Sequence, residues 1–104
     1  MSTLPVDEFF DAVADVQRWR LLVRLMEHNP QDPGEITSEP WEMTEAEREL
    51  VKMHHVHLPK LEEYGFVEWH RDENEVVKGP RFDEIRPLLE LIEANRSKVP
   101  TGWV

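Results

Sequence analysis

The chain has 104 residues, the size of one domain, and its 39% hydrophobic content can build one modest core. It has no cysteine, which excludes disulfides and thiolate metal sites. Twenty-two acidic against twelve basic residues give a net charge of −10, the wrong sign for a protein whose partner is a polyanion.

In chain order, Pro5 to Ala14 reads as a short helix with Phe9, Phe10 and Val13 apolar and acids Asp7, Glu8 and Asp11 near its start. Val16 to His28 is a second helix, because Val16, Trp19, Leu22, Val23 and Met26 recur at helical spacing. Arg18, Arg20 and Arg24 fall largely off that apolar stripe. Asn29-Pro30 and Asp32-Pro33-Gly34 end the helix with strong turn signals. Residues 35 to 43 carry Pro40 in their middle, so a single helical turn or a remodelled loop is expected there.

Thr44-Glu45-Ala46-Glu47 is a capping box, and the helix it opens runs to about Tyr64, with Gly65 as a left-handed stop. Leu50, Met53 or His54, His57 and Leu61 lie toward one face, and Arg48, Lys52 and His55 on another. Pro59 removes one amide and collides with the carbonyl of His55, which predicts a kink or break near Leu58. Phe66 to His70 and Glu75 to Lys78 form a hairpin, with Arg71-Asp72-Glu73-Asn74 as its turn. A last helix over 83–97 is capped by Asp83, tolerates Pro87 within or just past its first turn, and carries Ile85, Leu88, Leu89, Leu91 and Ile92. The domain thus spans 1–98, and 99–104 is a tail.

The run His54-His55-Val56-His57-Leu58-Pro59-Lys60-Leu61, followed by Gly65 and the apolar pair Phe66-Val67, resembles winged helix-turn-helix regulators of halophilic archaea. Those proteins carry an H-x-H-L-P-K-L run before a glycine and the wing. The resemblance covers residues 7 to 80 and is specific in this run. It implies a mainly α fold with a small antiparallel β-hairpin, a winged helix-turn-helix, and a role in transcription control through double-stranded DNA. The segment 35 to 43 departs from it, because the matching helix is ordinarily unbroken.

In such a fold the second helix of the motif enters the major groove and the wing reaches phosphate or minor groove. Arg48, Lys52, His55 and Lys60 from the helix, with Arg71 from the wing tip, are then the candidate DNA contacts. Against them stand five glutamates between Thr44 and Tyr64, and six acids without one lysine or arginine between Pro30 and Glu47. Acidity is either an adaptation to a salty cytoplasm, where screening acts within about 3 Å at 1 M salt, or the mark of a protein partner. The alternative to a DNA reader is accordingly an acidic winged-helix adaptor that binds protein.

The apolar stripe of the last helix is too broad for one neighbour, so Leu88, Leu89, Leu91 and Ile92 are expected at the interface of a homodimer. His54 and His57 supply only two local metal ligands, and no metal or other cofactor is expected. The four glycines are dispersed and there is no nucleophile elbow, so an enzyme is not expected. The aromatics read as core, with contact as the alternative for two of them, Trp41 and Trp103. No apolar run reaches the roughly 18–20 residues that span a bilayer. The N-terminus lacks the pattern of a secretion signal, which points to the cytoplasm.

Overall fold

A computed structural model describes residues 6–35 and 39–98. The elements run α1 (Val6–Val13), α2 (Val16–Glu27), a 3-10 turn (Pro40–Glu42), α3 (Glu45–Lys52), a π turn (Met53–His57), α4 (Leu58–Tyr64), β1 (Val67–His70), β2 (Glu75–Lys78) and α5 (Phe82–Ala94). A further 3-10 turn, Arg96–Lys98, follows α5. The expected tail 99–104, with Trp103, lies outside the described residues, as do Pro5 and 36–38.

Asp15 caps α2 by accepting from the amides of Gln17 and Arg18. The capping box forms as its sequence requires. Thr44 Oγ1 accepts from the Glu47 amide at 3.3 Å, and the Glu47 carboxylate accepts from the Thr44 amide at 3.3 Å. From Thr44 the chain is helical through α3, the π turn and α4, and stops at Gly65 with φ of 82°.

Of the kink or break expected near Leu58, no break occurs, and the helical ladder is disturbed just before it. The turn before Pro59 widens, and the Leu58 amide bonds five residues back to the Met53 carbonyl. A π turn takes up one extra residue, so a proline without an amide is accommodated while the helix continues.

β1 and β2 pair antiparallel, with Val67 opposite Lys78 and Trp69 opposite Val76. Their sheet gains a one-residue third strand, because Gln31 and Val76 exchange both backbone hydrogen bonds at 2.8 Å. The segment leaving α2 is thereby tied to the wing. Gly79 lets β2 leave the hairpin close to β1: a Cβ there would lie 2.5 Å from the Gly65 carbonyl oxygen and 2.7 Å from the Val67 nitrogen.

The core collects Phe9, Ala12 and Val13 of α1, Trp19, Leu21, Leu22 and Leu25 of α2, and Leu58 and Leu61 of α4. Phe66, Val67 and Val76 join it from the hairpin, and Phe82, Ile85 and Leu89 from α5. Helices, then a hairpin, then a last helix around one core make a winged helix, mainly α with a small antiparallel hairpin. No helix among the described residues is long and apolar enough to cross a membrane.

Four further expectations need correction. Arg18 is not on a solvated face: it is 8% exposed and reaches into the interior. Asp83 does not cap α5. The cap position is Arg81, with no side-chain bond, and Asp83 pairs with Arg86 at 3.4 Å inside the first turn. Pro87 is interior to α5 rather than near its start, and Leu89 is fully buried against this chain's own core. Leu89 is therefore unavailable to a partner, while Leu88 and Ile92 pack partly on the core and Leu91 is 60% exposed.

Candidate nucleic-acid interface

The helix nominated as reader starts at a capped Thr44 and is oriented at its far end by packing. His57, Leu58 and Leu61 are buried, and His54 lies against the wing, its ring 5.0 Å from that of Trp69. His54 Nε2 donates to the Gly34 carbonyl at 2.9 Å, and Asn74 Nδ2 donates to the same oxygen at 3.0 Å. Helix, wing turn and the loop after α2 thus converge on one carbonyl.

Arg48, Lys52 and His55 project to solvent from the opposite side. Two of them are engaged in single-turn ion pairs, Arg48 with Glu45 and Lys52 with Glu49, each at 3.6 Å. Lys60 is turned away from that stripe toward α1, where its ammonium sits 2.9 Å from Asp11. The Tyr64 hydroxyl donates to the same carboxylate. Those two partners hold the Asp11 carboxyl below its usual range, the tyrosine bond first. Arg71 lies over the Trp69 ring, 4.4 Å from its centroid, and bonds Glu62 at 3.1 Å. Of the five candidates, Arg48, Lys52 and His55 share one exposed helix face, Arg71 extends the surface onto the wing, and Lys60 belongs to the α1 contact.

The histidines do not converge on an ion. His54 serves the Gly34 carbonyl, whereas His57 Nδ1 lies 3.1 Å from Arg18 Nη1 in the interior. Guanidinium nitrogens only donate, so His57 Nδ1 is the acceptor and the proton sits on Nε2, which faces Asp15 at 3.6 Å. Burial holds this imidazole below its ordinary value; Asp15 pulls it up, and Arg18 adds to the depression. His70 instead meets Glu73 and Glu75 on the wing, with one ligand atom from each within 4.8 Å of the others.

Periodicity missed the role of Arg18. Its Nε donates to the Ala12 carbonyl at 2.8 Å and Nη2 to that of Asp11 at 3.1 Å. These belong to the last turn of α1, whose carbonyls have no partner within the helix. Trp41, on the 3-10 turn, is 79% exposed and so is not a core residue.

A protein-family model described as a domain of unknown function, DUF7344, matches residues 10–77. No curated protein and no solved structure matches the chain.

Proposed function

We propose that this chain, which belongs to the DUF7344 family, is a DNA-binding transcription regulator of the winged-helix type, working in a saline cytoplasm. The observation that carries the reading is one exposed face running along α3 and the π turn that continues it, with Arg48 and Lys52 on the former and His55 on the latter, followed by a hairpin that presents Arg71. Both cations on that helix are already paired with glutamates, but at 3.6 Å and with Arg48 and Lys52 more than half exposed. Exposed pairs of this kind contribute about 0.2–1 kcal/mol, so exchanging them for phosphate contacts costs little. A high salt concentration lowers the long-range repulsion of the −10 charge, though it also weakens each phosphate contact.

A second reading, an acidic adaptor that binds protein, is favoured by the same pairing, since Arg48, Lys52, Lys60 and Arg71 each face a carboxylate. In the DNA reading, Leu91 with the exposed edges of Leu88 and Ile92 joins two copies, so that two half-sites are read.

Anisotropy with pooled genomic duplexes across a potassium chloride series separates the two. The expected result is saturable binding with two chains per site. Arg48→Ala with Lys52→Ala should weaken it by at least about tenfold and change the salt slope by about two, with thermal midpoints unaltered. Affinity unchanged in that variant would show that α3 is not the reader. No binding at any salt would leave the adaptor.

A further inference from the structure

We propose that the cleft between α2 and the C-terminal end of α5 is a binding site for a small monocarboxylate with an apolar body. The cleft, of about 220 Å³, is lined by Trp19, Arg20, Val23, Arg24 and Glu27 of α2 with Glu93 and Arg96 from the far side. Arginine usage singles it out. Arg48, Arg71, Arg81, Arg86 and Arg96 each pair with a carboxylate, and Arg18 bonds backbone carbonyls and His57. Among the described residues Arg20 and Arg24 have no carboxylate partner, in a chain where acids outnumber bases by 22 to 12. They stand four apart on one helix, where like charges repel and cost the helix stability. An unpaired cationic couple facing a recess, with acids in such excess, is a place prepared for an anion.

The surroundings select the kind of anion. Arg20, Arg24 and Arg96 bring three positive charges, and Glu27 and Glu93 two negative ones, which leaves the cleft at +1 and suits a monoanion. The two glutamates oppose an extended polyanion such as duplex backbone, while a compact carboxylate fits between the guanidinium forks, which grip its two oxygens in parallel. Val23, half-buried, and the aliphatic stems of Arg20 and Arg24 offer apolar surface to the rest of the ligand, with the 2% exposed Trp19 beneath them. The volume is below that of a drug-sized pocket, so the body is small, of the order of one ring. The cleft joins α2 to α5, the helix proposed to pair two copies, so an occupant would act as an effector. That regulatory role rests on the DNA-binding reading, whereas the binding site does not.

Sodium benzoate, sodium acetate and inorganic phosphate are titrated into the full chain at low chloride, and the arginine Nε–H and Trp19 resonances are followed by NMR. Benzoate should shift Arg20, Arg24, Arg96 and Trp19 saturably, and bind about tenfold or more tighter than acetate or phosphate. Arg20→Gln with Arg24→Gln should remove that binding without lowering the thermal midpoint, since the repulsion between the two charges goes with them. Benzoate that fails to saturate, or a double variant that binds it as the wild type does, overturns the site. Equal affinity for acetate overturns the apolar body. Duplex DNA that shifts these arginines and displaces benzoate would make the cleft a backbone contact instead, and this also overturns the proposal. Duplex affinity of the same variant, measured without benzoate, keeps failure of the site distinct from failure of the DNA reading.

Discussion

Among the described residues Arg18 and His57 are the buried polar pair, and each depends on the other's chemistry. Protonating His57 would set an N–H against the Arg18 N–H, so the bond exists only with a neutral imidazole. The folded-state pKa is depressed below the ordinary value of 6.5. The unfolded chain therefore takes up the proton first as pH falls. This contribution to stability is complete above pH 6.5 and is lost as pH drops from there toward the folded value. Asp15, Arg18, Glu49 and Lys52 are the charged groups around it. His57→Gln keeps an acceptor for Arg18 and cannot titrate. Urea midpoints of the variant should be flatter than those of the wild type between about pH 5 and 7; parallel curves would acquit His57. Nothing in the sequence marks Arg18 for burial, because its partners are carbonyls of another helix, fixed only once α1 and α2 meet. Arg48, Lys52 and His55, by contrast, were legible as an exposed stripe, since helical spacing alone decides which side of the helix from Thr44 to Tyr64 they occupy.

Elements announced by local signals appear where the sequence puts them: the capping box at Thr44, the stop at Gly65, the alternation of Val67 and Trp69 with Glu68 and His70. What stayed hidden depends on distant partners. The Gln31 bridge to Val76 joins segments 45 residues apart, and its single residue has no strand pattern to read. Pro59 signalled disturbance, but the choice between a break and a wide turn was made by Leu58 and Leu61, whose burial holds the helix on course. Nothing in the sequence singles out Gly79, yet the backbone of residues 65–67 crowds it. Gly79→Ala should lower stability by about 1–3 kcal/mol, the usual range for overfilling a packed site. Calorimetry that finds no loss would mean the crossing relaxes freely.

At the scale of the whole molecule, the apolar stripe of α5 divides between the core and solvent. Leu89 and Ile85 are absorbed by the chain's own core, and only Leu91 stands clear. Burying one leucine per copy contributes about 1.5–3 kcal/mol, against about 4–15 kcal/mol lost in association. A dimer therefore needs Leu88 and Ile92 as well, and should be weak. Charge is the larger global term. With −10 spread over 104 residues, molar potassium chloride should relieve self-repulsion and raise the thermal midpoint. Each 1 kcal/mol relieved corresponds to about 4–8 °C for a chain of this size; a flat response would argue for a specific acidic docking surface instead. One more feature bears on how such a molecule works: α3 has no fully buried residue, whereas its continuation α4 buries Leu58 and Leu61. The nominated reading helix is then the segment that opens most cheaply. Its amides should exchange with deuterium through local unfolding well below the global free energy, while those of α4 wait for the whole domain to open. If 45–52 proves as protected as 58–64, α3 is rigid in solution. If not, the protein meets its target with a helix still partly melted, and the target completes its folding.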